Sequence, residues 1–103
     1  MPSGDLFNLF LMEKATLYTI DSKITDIVPA DGKQFTLKEL QGFVKGYIEI
    51  AYLSDDMIFV CNEDGKLDNL SVNFNATAIW MINFGPTDVI VGDVAIIHKS
   101  LMQ

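Results

Sequence analysis

The stretch Thr36-Leu-Lys-Glu-Leu-Gln-Gly-Phe-Val-Lys-Gly46 carries the clearest secondary-structure signal in this sequence of 103 residues. Thr36 and Glu39 have the spacing of a capping box, in which each side chain bonds the other residue's backbone N–H and a helix begins. Apolar residues then recur at helical spacing and form one stripe, namely Leu37, Leu40, Phe43 and Val44. The stretch therefore predicts a helix that runs to about Lys45, with Gly46 as its left-handed end.

The segments on both sides of this helix are rich in residues that favour strands. Residues 15–20 and 24–28 predict one hairpin around a turn at residues 21–23. Residues 47–53 and 57–61 predict a second hairpin. Its second strand is wholly apolar, which is typical of a strand that is buried on both faces.

Residues 72–84 fit two patterns, because their apolar positions alternate as in a strand and also satisfy helical spacing. Their length and the pair of alanines favour a helix, with Asn73 or Asn75 as its N-cap. Gly65, in the turn that follows the second hairpin, is expected to adopt a positive φ. Residues 88–91 and 94–98 predict one or two further strands.

This order of elements predicts an α+β fold, with a mainly antiparallel sheet of about five strands and two helices on one face. Residues 12–103 are assigned to this single domain, because a chain this short does not hold two cores. Residues 1–11 form an N-terminal extension, which is either a short helix packed on the domain or a segment added upstream of it.

Composition excludes several classes of protein. The net charge is −7, all seven basic residues are lysine, and arginine is absent, so direct binding of nucleic acid and of anionic membranes is not expected. One cysteine forms no internal disulfide. The sequence contains no apolar run of 18 residues and no positively charged leader. We therefore expect a protein without a membrane span, located in the cytoplasm.

Catalytic and metal-binding motifs are absent from the sequence. His98 and Cys61 are its single histidine and single cysteine, and neither belongs to a nucleophile or zinc pattern. There is also no glycine-rich loop for phosphate between a strand and a helix. We therefore expect no enzymatic activity, no catalytic residues, no metal and no cofactor.

A protein-interaction module is the leading interpretation, with a basic protein as the partner. The acidic turns are the first part of the expected surface, and the exposed side of the strand at residues 47–53 is the second. The candidate residues are Tyr47, Glu49, Asp55, Asp56, Glu63, Asp64 and Asp68. The other side of that strand, with Ile48, Ile50 and Tyr52, is expected to face the core.

Two alternatives remain open. A protein that binds a small ligand or nucleotide would use helix N-termini and lysines for phosphate and an aromatic ring for stacking. Its candidate residues are Lys33, Thr36, Lys38, Asn73, Asn75 and Trp80. The second alternative is an acidic DNA mimic, for which a net charge of −7 is modest. A homodimer through a strand edge or the apolar N-terminus is also possible.

Five short blocks occur in a characteristic order: Phe35-Thr-Leu-Lys-Glu-Leu-Gln41, Val44-Lys-Gly-Tyr-Ile-Glu49, Asn62-Glu-Asp-Gly-Lys66, Asn73-x-x-Ala-Thr77 and Val91-Gly-Asp-Val94. Over about residues 12–98, the sequence resembles a family of small proteins of unknown function carried by bacteriophages and mobile elements, often of gut bacteria. That family is similar to proteins linked with inhibition of CRISPR effectors. The resemblance implies an accessory protein that acts in the host bacterium on a host or phage protein, as a defence antagonist.

Overall fold

The computed structural model describes residues 15–103. The elements follow one another as β1 (Ala15–Tyr18), β2 (Ile24–Asp26), α1 (Leu37–Val44), β3 (Ile48–Tyr52), β4 (Met57–Asn62), α2 (Phe74–Phe84), β5 (Val94–His98) and a 3₁₀ turn (Lys99–Leu101). The predicted α+β class and the predicted order of strands and helices are confirmed. The prediction for residues 1–11 concerns a segment outside the described residues.

The five strands form one sheet in the order β2-β1-β5-β4-β3, and every neighbouring pair is antiparallel. β5 is the last strand in the sequence but lies at the centre, where Ala95 is opposite Leu17 of β1 on one side and Val60 of β4 on the other. β5 therefore joins the two hairpins. Its first four residues are buried.

The two helices lie on opposite faces of the sheet, so the prediction that they share one face is wrong. Ile58 and Val60 of β4 pack in one cluster with α1, whereas Phe59 between them packs in a second cluster with Ala76 of α2. Successive side chains of a strand point to opposite faces. Because β4 is apolar on both faces, each face needs its own helix to exclude water.

α1 begins with the predicted capping box. The Thr36 hydroxyl accepts from the Glu39 backbone N–H at 3.1 Å, and the Glu39 carboxylate accepts from the backbone N–H groups of Thr36 and Ala30, both at 2.9 Å. These backbone bonds hold the pKa of the Glu39 carboxyl below its usual range. The buried stripe contains Leu40 and Val44, while Leu37 in the first turn is exposed, contrary to the prediction.

The end of α1 also differs from the prediction, because Lys45 and not Gly46 is left-handed, with φ of 61°. Gly46 is needed for space. The Asn62 side chain donates to the carbonyl oxygens of Val44 and Lys45, at 3.1 and 3.4 Å, and closes the helix end. A Cβ atom on Gly46 would lie 2.6 Å from the Asn62 Nδ2 atom.

We expect Gly46→Ala to lower the free energy of unfolding by about 1–3 kcal/mol, because displacing the Asn62 amide leaves the buried Val44 carbonyl without a donor. Gly42 is the matched control. It lies inside α1 with no atom within 4 Å of an added Cβ, so Gly42→Ala is expected to raise stability by about 0.5–1 kcal/mol. Urea denaturation of both variants measures the difference. Equal effects at the two glycines would contradict the steric explanation.

α2 confirms the helical interpretation of residues 72–84, and Asn73 is its N-cap. The Asn73 Oδ1 atom accepts from the Ala76 backbone N–H at 3.0 Å. Its Nδ2 atom donates to the carbonyl oxygens of Tyr18 and Gly92, both at 2.9 Å. Asn73 is fully buried, so this one side chain both starts α2 and ties it to β1 and to the turn before β5.

Three smaller predictions are corrected. β2 ends at Asp26, two residues early, and of residues 88–91 only Val91 makes an isolated bridge, to Val72. Gly65 does not have a positive φ. A Cβ atom there would lie 2.9 Å from Val91 Cγ2, so close packing requires the glycine. No helix within residues 15–103 has the length and apolar character to cross a membrane.

Candidate functional site

The predicted acidic turns lie at opposite ends of β4. Asp55 and Asp56 lie in the turn before β4, whereas Glu63, Asp64 and Asp68 follow it. A strand of six residues is about 20 Å long, so the two groups do not form one surface. In the first turn, an Asp56 carboxylate oxygen lies 3.8 Å from the Nζ atom of Lys99.

β3 is an edge strand of the described sheet, and it exposes aromatic and aliphatic side chains. Tyr47 is 69% exposed and Tyr52 is 64% exposed, and Ile50 between them is also exposed. Ile48 packs against the cluster under α1. The prediction that Ile50 and Tyr52 face the core is therefore wrong, since this edge of the sheet extends beyond the cover of α1.

The backbone of β3 offers hydrogen-bonding groups along its outer edge. At its two ends, the Tyr47 carbonyl accepts from the Glu63 N–H and the Leu53 N–H donates to the Met57 carbonyl, both at 2.9 Å. Bonding alternates along an antiparallel strand, so the odd-numbered residues bond to β4. The outward-facing backbone groups are those of Ile48, Ile50 and Tyr52.

A cleft of about 290 Å³ opens beside β3, on the face of the sheet where α2 lies. Glu49 and Cys61, which are opposite each other in the β3–β4 register, contribute to it, together with the turn after β4 and residues 88–91. Glu63 and Asp88 add two more carboxylates. Lys66 is the one cation among the described residues that line the cleft, and it is paired with Asp88.

The cleft brings together Glu49 and Glu63, two of the predicted partner-binding residues, with Asp88, which the sequence analysis did not select. Asp88 follows α2 by four residues and has no motif around it. Asp88 lies near β3 because the segment that follows α2 runs back beside this helix. The part of the cleft formed by residues 15–103 is therefore acidic, with three carboxylates and one paired lysine.

Cys61 is half-buried in this cleft. Burial, and after it the nearby Glu49 and Asp88 carboxylates, raise the pKa of the Cys61 thiol from its ordinary value of 9.0 to about 11. The thiol therefore stays protonated at neutral pH. A protonated thiol is a poor nucleophile and a poor metal ligand.

The six candidate residues for a small ligand are not brought together. Thr36 and Asn73 cap helices on opposite faces of the sheet, so Lys33 and Lys38 belong to one face while Asn75 and Trp80 belong to the other. The Trp80 indole N–H donates to the Thr87 hydroxyl at 2.9 Å. Its ring packs against both Phe59 and Phe84.

His98 ends β5 and begins the 3₁₀ turn. Its Nδ1 atom lies 2.7 Å from the Ser100 hydroxyl and accepts from the Ser100 backbone N–H at 3.1 Å. The imidazole therefore acts as a cap for this turn. Within residues 15–103, no three histidine, cysteine or acidic side chains are arranged to hold a metal ion.

The match to a known family covers the whole sheet and both helices. The model of a family described as "Domain of unknown function (DUF3846)" matches residues 15–100. No curated protein and no solved structure matches the chain. The matched range therefore includes β3 and every residue named in the cleft.

Proposed function

The chain belongs to the DUF3846 family, whose function is unknown, and we propose that it is a non-enzymatic module that binds a basic protein partner at the β3 edge. The partner contributes an extended segment that pairs with β3 as a sixth strand. The observation that carries this proposal is the combination of an edge strand with exposed side chains and an acidic cleft beside it.

The two faces of β3 define the side chains that the partner segment needs. A paired strand directs alternate residues to opposite faces of the sheet. On the face of the cleft, lysine or arginine side chains meet Glu49 and Glu63. On the other face, apolar side chains cover Ile50 and Tyr52, which are exposed. The proposed ligand is therefore a strand that alternates basic and apolar residues.

Electrostatics supports a basic partner. The chain has a net charge of −7, and its field attracts a basic protein before contact. The cleft adds local acidic groups, while its one lysine is paired with Asp88. Much of the acidic charge is exposed to solvent, where dissolved ions screen it. The binding therefore weakens as salt concentration rises.

The protonation of Cys61 and the hydrogen bonding of His98 also support a binding function. The Cys61 thiol is protonated at neutral pH because burial raises its pKa to about 11. The His98 Nδ1 atom is bonded within its own turn. Within residues 15–103, no hydrogen bond joins either side chain to a histidine base or an orienting carboxylate, the partners that nucleophilic or general-base catalysis requires.

For the source of the partner we rely on the family resemblance. We propose that the chain is an accessory protein of a bacteriophage or mobile element that acts in the cytoplasm of the host bacterium. The partner is then a host or phage protein, with CRISPR-type effectors as the leading class. Such effectors carry basic surfaces because they bind nucleic-acid phosphates, and an acidic module is complementary to them.

A designed peptide tests the β3 edge without knowledge of the natural partner. The probe is a labelled peptide of alternating lysine and valine, and the control peptide alternates glutamate and valine. We expect the lysine peptide to bind and its Kd to rise at least ~10-fold between about 50 and 500 mM salt. Fluorescence anisotropy measures both. Binding of neither peptide, or of both equally, would overturn the proposal.

Two variants of Ile50 separate strand pairing from simple attraction. Ile50→Pro removes the outward backbone N–H. The hydrogen bonds between β3 and β4 remain, because an edge strand tolerates proline where the N–H faces solvent. Ile50→Ala keeps the N–H and removes more of the side chain than proline does, so a larger loss of binding with proline is not caused by lost side-chain contact. We expect the proline variant to bind the lysine peptide at least ~10-fold more weakly than the alanine variant. Equal affinities would exclude pairing with β3.

Variants that neutralise single carboxylates show which acidic residues of the protein the lysines of the peptide contact. We expect Glu49→Gln and Glu63→Gln to weaken binding and reduce its salt dependence. Asp26→Asn is the matched control, because Asp26 is an exposed acid on β2, the opposite edge strand. A control variant that weakens binding as much as the cleft variants would show that only net charge matters.

A further inference from the structure

α2 carries apolar side chains on every side and only three polar ones, Asn75, Thr77 and Asn83. The segment Phe74-Asn-Ala-Thr-Ala-Ile-Trp-Met-Ile-Asn-Phe84 contains no charged residue. A helix with this composition is normally enclosed by other parts of a protein. In this structure only Ala76 of the helix is fully buried, while Phe74 is 72% exposed and Ile82 is 84% exposed.

Besides Asn83 and Phe84, the exposed residues form one stripe on the side of α2 that faces away from the sheet. They occur at helical spacing, as Phe74, Ala78, Met81 and Ile82. Met81 lines a shallow groove of about 440 Å³ together with Pro86 and Val89, and Val89 is half exposed. The stripe therefore continues onto the segment that follows the helix.

We propose that this outer face of α2 binds a second copy of the same chain, across a two-fold axis close to Ala78. The outer face of α2 is a different surface from the β3 edge, although the groove beside Met81 and the cleft beside β3 share Lys66, Asp88 and Val89.

The shape of the stripe is self-complementary. With a rise of about 1.5 Å per residue, Phe74 and Ile82 lie about 6 Å on either side of Ala78. When two copies cross in antiparallel directions at Ala78, the phenyl ring of each copy meets the isoleucine of the other. The small methyl side chain at the axis lets the two helices approach closely.

The absence of charge on the stripe favours a second copy over a basic partner. Each chain has a net charge of −7, so two copies repel one another wherever their acidic surfaces meet. On the outer face of α2 no acidic group opposes another, because the helix carries none. A basic partner, in contrast, finds only the Asp88 carboxylate among the described residues beside this stripe, and Asp88 is already paired with Lys66.

The available area reaches the size that a dimer needs. With roughly 150–200 Å² for each large side chain, the exposed parts of the stripe and Val89 amount to about 500 Å² per copy. Two copies then bury about 1,000 Å², which is the lower bound for a specific interface. The expected dimer is therefore weak and depends on protein concentration.

Sedimentation equilibrium of the full chain over a range of concentrations tests the proposal. We expect the mass to rise from 11.5 kDa for one chain to twice this value. Ile82→Glu places a charge in the stripe and is expected to weaken the dimer at least ~100-fold. Val28→Glu is the matched control, since Val28 is 76% exposed after β2, far from the stripe in sequence; this variant is expected to dimerise like the unaltered chain.

An introduced cysteine tests the position of the axis. Under mild oxidation Ala78→Cys is expected to form a disulfide between two copies, whereas Val28→Cys is not. A dimer that forms this disulfide and is lost in Ile82→Glu supports the proposal. A chain that remains monomeric at all concentrations overturns it, and so does a dimer that Ile82→Glu leaves unchanged. Circular dichroism of the dilute variants shows whether each is folded.

Discussion

Phe59→Ala is expected to lower the free energy of unfolding by about 3–5 kcal/mol. Phe59 is fully buried in β4, and its ring meets Trp80 of α2 edge to face, with ring centroids 5.5 Å apart. Alanine removes apolar surface and leaves a cavity between the sheet and α2. The loss is a large part of the total stability of a small domain.

Phe74→Ala is the matched control for this prediction, because the same atoms are removed from an exposed position on α2. We expect it to change stability by less than about 0.5 kcal/mol. Urea denaturation in dilute solution, where chains are monomeric, compares the two. Hydrogen exchange adds a regional test: Phe59→Ala is expected to expose the amides of α2 more than those of α1. Equal effects on both helices would contradict the assignment of Phe59 to the face of α2.

Asn73 gives the second large effect. We expect Asn73→Ala to cost about 2–4 kcal/mol, since it removes the N-cap of α2 and leaves the carbonyls of Tyr18 and Gly92 without their donor. Asn73→Asp is expected to cost more at neutral pH. It keeps an acceptor for the helix but places a buried carboxylate against two carbonyl oxygens.

The aspartate variant also predicts a pH dependence of stability. Burial and the two carbonyls favour the protonated carboxyl, so the pKa of the new aspartate is higher in the folded state than in the unfolded state. Its stability relative to the unaltered chain is therefore greatest below about pH 4 and falls as pH rises. Thermal unfolding across this range measures it. Asn75→Asp is the matched control, because an acid in the first turn of a helix is favourable; a similar loss there would contradict the explanation.

Local chemistry in the sequence was sufficient to identify the elements. The capping box at Thr36 and Glu39 predicted where α1 begins, and the two alanines, with Asn73 or Asn75 as the N-cap, predicted α2. Both signals depend on residues three or four positions apart, so they act before any tertiary contact exists. The apolar run in β4 is also a local signal, because consecutive residues of a strand point to opposite faces, and it predicted a strand buried on both faces.

Contacts between distant residues decided the rest. The sequence alone determined the order of strands and helices, the α+β class and the acidic character of the chain. The tertiary structure placed the helices on opposite faces, left Ile50 and Tyr52 exposed, and separated the acidic turns along β4. It also brought Asp88 beside Glu49. The physical reason is that strand order and helix position depend on which apolar faces cover one another. These faces belong to residues far apart in the sequence, so local sequence patterns do not predict them.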